Sequence, residues 1–222
     1  MRISKYIHSC LLVEEGRDKL LFDPGKFSFV EKRVSPEQFL DLTAIIVTHG
    51  HPDHLEWDAL TQIVARNPAA VVLTNAEVEA QMAAKQMTAS IFETGTRAVG
   101  GFEVTAMDAP HAWILGSQPP QNTAYLLNGA FLNPGDSFDE SLFARAGTRV
   151  LALPVMAPWA TELQAAAFAA QMKPRQIVPL HDGQARDFFI DQRYATFQKH
   201  FAEHGMRFEM MKKVGDSVEI EA

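Results

Sequence analysis

An apolar, β-branched segment that ends in a histidine-rich loop places the strongest constraint on this chain. The predicted strand Ala44–Thr48 is followed by His49, His51, Asp53 and His54, so four donor side chains fall within six positions. Imidazole nitrogens and carboxylate oxygens are ligands that divalent transition metals bind in proteins. A polar loop with incidental histidines is the weaker reading, because this spacing rarely arises by chance. The segment predicts a metal site at the end of a strand.

Composition indicates an ordinary globular protein. The chain has 222 residues, 47% of them hydrophobic, with no low-complexity linker, so we predict one domain over residues 1–222. The net charge is −7 and no Lys/Arg-rich block occurs, which argues against nucleic acid as a partner. No apolar run reaches the roughly 18 residues of a membrane span. We expect a cytoplasmic protein with a small-molecule substrate, and homo-oligomer formation stays open.

Strand and helix signals alternate along both halves of the chain. Thr161 and Gln164 form a predicted capping box at the start of an Ala-rich helix. The segments 207–211 and 217–221 are predicted to pair as a final hairpin. Because helical segments bound the strands in each half, we predict two facing sheets with helices outside, a four-layer αββα sandwich of the α/β class.

Three further donor residues each follow a later predicted strand. They are His111, Asp136 and His181. A single histidine at a strand end is more often a satisfied surface or capping residue than a ligand. Together, and in this order, the three indicate one site shared with the histidine-rich loop.

On these residues the chain resembles the metallo-β-lactamase superfamily, whose signature is H-x-H-x-D-H followed by His, Asp and His. The pairs His8-Ser9 and Asp23-Pro24 make it similar to the compact branch of L-ascorbate-6-phosphate lactonase-like and metal-dependent hydrolase proteins. The resemblance implies the αββα fold and two divalent metal ions. It places His49, His51 and His111 on the first ion, Asp53, His54 and His181 on the second, and Asp136 between both.

The resemblance also implies hydrolysis by a hydroxide held between the two ions. Zinc, manganese and iron all suit seven nitrogen and oxygen ligands. Asp53 is the predicted catalytic residue, since a carboxylate there can move the proton of the nucleophile or leaving group. The segment 113–122 shows no phosphate-binding glycine loop or arginine pair, which favours a lactone, ester or amide. A phosphodiesterase for a small phosphorylated substrate and a non-catalytic metal-binding protein remain alternatives.

The remaining candidates have two readings each. His8 points into the site or is a core histidine. Asp23 accepts a hydrogen bond from a ligand histidine or is a turn residue before Pro24. Trp113 and Trp159 line the pocket or seal an edge of the core. We assign no catalytic role to His200 and His204, which lie four residues apart near the end of the last helix.

Overall fold

Two mixed β-sheets form the centre of the computed structural model, which describes residues 1–116 and 118–220. Strands are numbered along the chain. The first sheet contains, in spatial order, Ser217–Glu219 (β14), Arg2–Lys5 (β1), Leu11–Glu15 (β2), Asp18–Phe22 (β3), Ala44–Ile46 (β4), Val71–Thr74 (β5) and Ser90–Ile91 (β6). The second contains Arg207–Phe208 (β13), Gln176–Leu180 (β12), Val150–Pro154 (β11), Phe131–Asn133 (β10), Thr123–Leu127 (β9), Phe102–Asp108 (β8) and Gly95–Val99 (β7).

Five α-helices connect or flank these strands in the described part of the chain. They are Lys26–Phe29 (α1), Trp57–Arg66 (α2), Ala76–Ala84 (α3), Glu162–Met172 (α4) and Asp187–Glu203 (α5). Short 3₁₀ turns occur at Val30–Lys32, Pro36–Gln38 and Glu140–Arg145. Across the residues described, a helix with both the length and the apolar character needed to cross a membrane is not found.

The first sheet is buried on both faces, which explains why its strand β4 has a continuously apolar sequence. Ala44 and Ile46 belong to the core between the two sheets. Ile45 belongs to a second core, which also contains Leu60 of α2 and Val78 of α3. Side chains alternate between the faces of a strand, so one short segment contributes to two apolar layers.

The second sheet repeats this arrangement on its own outer face. Phe131 and Ala152 lie in the core between the sheets. Leu151 packs in a third core with Phe168 of α4 and Phe197 of α5. The order of layers is helices, sheet, sheet and helices, so the predicted αββα sandwich is confirmed.

Strand direction decides where the functional residues meet. In the first sheet β1, β3, β4 and β5 run the same way, and in the second β8, β10, β11 and β12 do. The Thr123 N–H, at the start of β9, donates to the Thr48 carbonyl oxygen just after β4 at 3.0 Å. The carboxyl ends of these two sets of strands therefore lie at one shared edge of the sandwich.

The predicted C-terminal hairpin is wrong. β13 pairs in parallel with β12 in the second sheet, whereas β14 pairs antiparallel with β1 in the first. Residue 221 of that prediction lies outside the described residues. Both segments have the composition of strands, but each gains its hydrogen bonds from a partner distant in sequence rather than from its neighbour.

The capping box at α4 gives a stability prediction. The Thr161 hydroxyl accepts from the Gln164 N–H, and the Gln164 side chain accepts from the Thr161 N–H. We expect Thr161→Ala to lower the free energy of unfolding by about 1 kcal/mol, because an N-terminal helix N–H loses its acceptor. Thr161→Ser keeps that acceptor and is the control. Urea titration followed by circular dichroism measures both, and equal stability of the two variants would contradict the prediction.

Candidate metal centre

All seven predicted ligand residues come together at the shared edge of the sandwich. Within the described residues they form two groups in which one donor atom per residue lies within 4.8 Å of every other. The first group is His49, His51, His111 and Asp136. The second group is His8, Asp53, His54 and His181. The second group thus contains one residue, His8, beyond the predicted set.

Donor separations in the first group have the scale of a metal site. The His111 Nε2 and His51 Nδ1 atoms lie 3.1 Å apart. Oδ2 of Asp136 lies 3.4 Å from the His111 Nε2 and 3.9 Å from the His49 Nε2. Four donors around one ion at a metal–ligand distance near 2.1 Å would lie about 3.4 Å apart.

The second group is equally compact. The Nε2 atoms of His54 and His181 lie 3.0 Å apart, and the His8 Nε2 lies 3.0 Å from Oδ2 of Asp53. His54 and His181 are fully buried, while the Asp53 side chain is 25% exposed. The carboxylate of Asp53 therefore lies where the group meets solvent.

Asp136 lies between the groups and presents one oxygen to each. Its Oδ1 is 2.6 Å from the His181 Nε2 and 3.2 Å from the His54 Nε2. Its Oδ2 faces His49 and His111, as described above. The geometry suits the bridging position that the resemblance implies for this residue.

Three histidines have their Nδ1 atoms occupied, which leaves Nε2 for a metal ion. The His54 Nδ1 donates to Oδ2 of Asp23 at 2.9 Å, and the His111 Nδ1 donates to the Ala112 carbonyl oxygen at 2.6 Å. The His49 Nδ1 lies 3.1 Å from the Thr48 hydroxyl oxygen. An acceptor on Nδ1 fixes the tautomer in which Nε2 carries the lone pair.

His8 has the opposite tautomer. The Gly183 N–H donates to the His8 Nδ1 at 3.1 Å, so that nitrogen carries the lone pair. A neutral His8 ring then has its proton on Nε2 and donates it to Asp53. His8 points into the site, and its ring orients the Asp53 carboxylate while its Nε2 lone pair is unavailable to an ion.

The predicted hydrogen-bonding residue Asp23 joins the two parts of the histidine-rich loop. Its Oδ1 accepts from the Thr48 N–H at 2.8 Å, and its Oδ2 accepts from both the Thr48 hydroxyl and the His54 Nδ1 at 2.9 Å. Asp23 is fully buried. A rigid carboxylate in this position fixes the orientation of His54.

Left-handed backbone turns direct several of these side chains. His8, Asp23 and His181 have φ values of 60°, 46° and 67°. Residues other than glycine adopt this region uncommonly, and such strain collects at functional sites where surrounding contacts hold it in place. The His8 N–H donates to Oδ1 of Asp182, which is one of the contacts that hold its turn.

A buried ion pair supports the loops of His8 and His181. The Lys5 Nζ donates to Oδ2 of Asp182 at 2.5 Å and to the Tyr194 hydroxyl at 2.9 Å, and that hydroxyl donates to the same Asp182 oxygen at 2.6 Å. All three side chains are buried. Burial lowers the pKa of Lys5, and the Asp182 carboxylate opposes this effect.

The electrostatics of the site keep three of its imidazoles neutral. Burial lowers the pKa of His49 and of His51, and neighbouring imidazoles lower both further. Burial, together with His181, lowers the pKa of His8 to about 4. For His54 burial acts in the same direction, but the Asp136 and Asp23 carboxylates outweigh it and raise its pKa well above its usual value.

The charge and donor set of the site fit bound cations. Asp23 and Asp136 are buried and Asp53 is partly so, yet among the described residues lysine and arginine form no salt bridge with any of them. The buried His49 Nε2 has no hydrogen-bond partner in the described part of the chain. Buried carboxylates need compensating positive charge, and the lone pair of an unpaired imidazole nitrogen needs a hydrogen-bond donor or a cation. Metal ions satisfy both requirements.

Asn122 is a structural residue of the site that the sequence reasoning missed. Its Nδ2 donates to the carbonyl oxygens of Ala109 and Pro134, and its Oδ1 accepts from the Asp136 N–H at 3.1 Å. It thereby joins the loops that carry His111 and Asp136. The sequence could have indicated it, because Asn122 directly precedes β9. Since β9 runs antiparallel to β8 and β10, its first residue lies at the edge where those two strands end.

The two predicted pocket tryptophans differ in placement. Trp113 is 79% exposed, in the loop after His111. The Trp159 indole N–H donates to Oδ2 of Asp136 at 2.9 Å. His200 lies on α5 and His204 directly follows its end, away from both groups, and the His204 Nδ1 donates to the His200 carbonyl oxygen.

Sequence comparison identifies the family. The family described as a beta-lactamase superfamily domain matches residues 2–181, and the chain belongs to the metallo-β-lactamase superfamily. Protein Rv0786c of Mycobacterium tuberculosis is 32% identical over 194 residues, which cover 82% of this chain and 84% of that protein. A UPF0173 metal-dependent hydrolase of Rubrobacter xylanophilus is 29% identical over 220 residues, which cover 90% and 87%.

Structural comparison agrees on the fold. The metallo-β-lactamase fold protein YhfI of Bacillus subtilis superposes with a TM-score of 0.69 at 16% sequence identity, covering 98% of each chain. At that identity the likeness shows the fold alone.

The position of Asp136 predicts the metal content. We expect the purified wild-type protein to bind close to two divalent ions, one for each group. Asp136→Asn should lose at least one of them with native circular dichroism retained, because the amide lacks the charge that offsets two cations. Elemental analysis after dialysis measures this. Asp139→Asn is the matched control, since Asn also caps the turn that Asp139 begins. Full metal content in Asp136→Asn would refute the bridging position.

Asp23 gives a second prediction. The Asp23 carboxylate accepts hydrogen bonds from three donors, two on Thr48 and one on His54. In Asp23→Asn an amide N–H faces one of these donors, so His54 loses its fixed orientation. We expect metal affinity to fall by about 10- to 100-fold, measured by competition with a chromophoric chelator. Asp41→Asn is the control, because Asp41 is exposed and has a φ of 59° that Asn also tolerates. Unchanged affinity in Asp23→Asn would show that the hydrogen bond does not support metal binding.

Proposed function

We propose that the protein is a metal-dependent hydrolase of a small lactone, ester or amide. The observation that carries this proposal is the meeting of two donor groups at one carboxylate, Asp136, at an edge where Asp53 reaches solvent. The name of the Rubrobacter xylanophilus relative supports the reaction class. A binding site with only a structural role has no need of two ions or of an open position.

When bound, two divalent ions would supply Lewis-acid chemistry, which lowers the pKa of a water molecule and polarises a carbonyl group. His49, His51 and His111 would hold one ion. Asp53, His54 and His181 would hold the other, and Asp136 would contact both. Zinc, manganese and iron all fit this donor set, which contains no sulfur.

Asp53 is the proposed proton carrier. Burial raises its pKa, but the hydrogen bond from His8 and the charges of His54 and His181 together outweigh burial, and the pKa lies below its usual range. The carboxylate is therefore ionised at neutral pH and partly exposed. Such a group can accept the proton of the attacking water and pass it to the leaving oxygen or nitrogen. The His8 hydrogen bond holds it in orientation during both transfers.

The surroundings of His51 favour a weakly charged substrate. An open cavity of ≈ 460 Å³ lies beside this histidine and is lined by Gly50, Glu77, Gln118, Pro119 and Pro120. None of these lining residues is basic, and the Glu77 carboxylate repels an anionic ligand. Exposed Trp113 adds an apolar surface on the neighbouring loop. A lining of two prolines and the uncharged Gln118, with neither lysine nor arginine among its described residues, suits a small lactone, ester or amide better than an anion.

A substrate panel tests the proposal. We expect zinc- or manganese-loaded protein to hydrolyse lactones or p-nitrophenyl esters faster than bis-p-nitrophenyl phosphate or oligonucleotides. Asp53→Asn should reduce that rate by about 10²-fold or more, the usual contribution of a proton-transfer group. The exposed Asp41→Asn variant is the control and should keep the wild-type rate.

Other outcomes distinguish the alternatives. Faster hydrolysis of the phosphodiester would replace the proposal with a phosphodiesterase for small phosphorylated substrates. Two bound ions with no turnover on any member of the panel would favour a non-catalytic metal-binding protein. A rate equal in wild type and Asp53→Asn would remove the proposed role of that carboxylate.

A further inference from the structure

Trp159 contacts the centre through the carboxylate that both groups share. Its indole N–H lies 2.9 Å from Oδ2 of Asp136, the oxygen that faces His49 and His111. Oδ1, the other oxygen, faces only the imidazoles of His54 and His181 in the contacts that the described residues make. The two oxygens of one carboxylate therefore have different environments.

The indole ring is held firmly enough to impose this difference. Its ring packs edge-on against Phe138 at 4.8 Å between centroids, and Phe138 stacks on Phe168 of α4 at 4.7 Å. Phe168 is buried in the core beneath the second sheet. The Val155 N–H donates to the Leu180 carbonyl oxygen at 3.1 Å, which fixes the start of the loop. The packing of the indole against Phe138 and the core beneath the second sheet therefore fixes where its N–H meets the carboxylate.

We propose that Trp159 is a positioning residue that fixes the rotation of the Asp136 carboxylate and so makes the two ion sites unequal. Before any ion binds, a carboxylate is free to rotate about its side-chain torsion unless another group holds one oxygen. The indole N–H holds Oδ2, a directional constraint that a phenyl ring or an aliphatic side chain does not supply. The inference rests on the metal-binding part of the proposed function.

Loss of the indole N–H should lower metal affinity at one group and not at the other. Removing a hydrogen-bond partner of a ligand usually lowers metal affinity by about 10- to 100-fold. Because the indole contacts Oδ2 rather than Oδ1, the loss should fall on the ion held by His49, His51 and His111. The ion held by Asp53, His54 and His181 should keep its affinity to within about threefold, since Oδ1 retains its partners.

Two substitutions separate the hydrogen bond from the bulk of the ring. Trp159→Phe removes the N–H and part of the ring. Replacement of Trp159 by benzothienylalanine keeps the bicyclic shape and puts sulfur where the N–H was. Trp57→Phe is the matched control, because Trp57 lies on α2 and its ring contacts the Lys85 ammonium rather than the centre.

Titration of each metal-free protein with Co²⁺, followed by visible absorption and calorimetry, measures the two affinities. The binding phase that His51→Ala abolishes belongs to the first group, and the phase that His54→Ala abolishes belongs to the second. We expect both Trp159 variants to weaken only the first phase, by about tenfold or more, with Trp57→Phe unchanged.

The opposite results are equally clear. The role of the N–H would be overturned if Co²⁺ affinity fell equally in both phases or rose in the first phase. It would also be overturned if affinity fell in Trp159→Phe but not in the benzothienylalanine protein. Wild-type protein that binds fewer than two Co²⁺ ions would overturn the metal-binding proposal itself. Two tight phases in wild type that do not change in either variant would overturn only the inference about Trp159.

Discussion

The buried carboxylate of Asp136 is the group around which the whole edge of the sandwich is arranged. It is 2% exposed, and imidazoles approach both of its oxygens. Burial alone raises the pKa of this acid, but His181 and His54 outweigh burial and hold the pKa well below its usual range. A negative charge in that position is stable only with positive charge close on both sides. The two donor groups provide a place for that charge.

The fold meets this requirement with supports that lie outside the donor groups. Asn122 joins the loops of His111 and Asp136, Asp23 fixes His54, and the Lys5–Asp182 pair holds the turns around His8 and His181. A half-satisfied polar network would cost more than an apolar core. The strained turns at this edge persist because those contacts determine the backbone more strongly than local preference does.

Asymmetry is the chemical consequence of this arrangement. The first group is completed by the oxygen of Asp136 that also accepts from Trp159, whereas the second contains Asp53, which His8 orients. One side of the centre is thus fixed by the core beneath the second sheet, and the other carries the partly exposed carboxylate. The cavity beside His51, whose described lining contains neither lysine nor arginine, lies next to the first group.

The sequence by itself determined the histidine-rich loop, the order of the later donors and the layered fold, because each depends on local spacing or on alternation along one strand. The predicted capping box of Thr161 and Gln164 forms at the start of α4 for the same reason. Only the tertiary structure decided that the last two strands belong to different sheets, since their hydrogen-bond partners are remote in sequence. It also decided that His8 donates to Asp53, because the Gly183 N–H that sets its tautomer lies 175 residues away. The approach of Trp159 to one oxygen of Asp136 depends on the packing of Phe138 against α4, and local spacing carries no information about that contact.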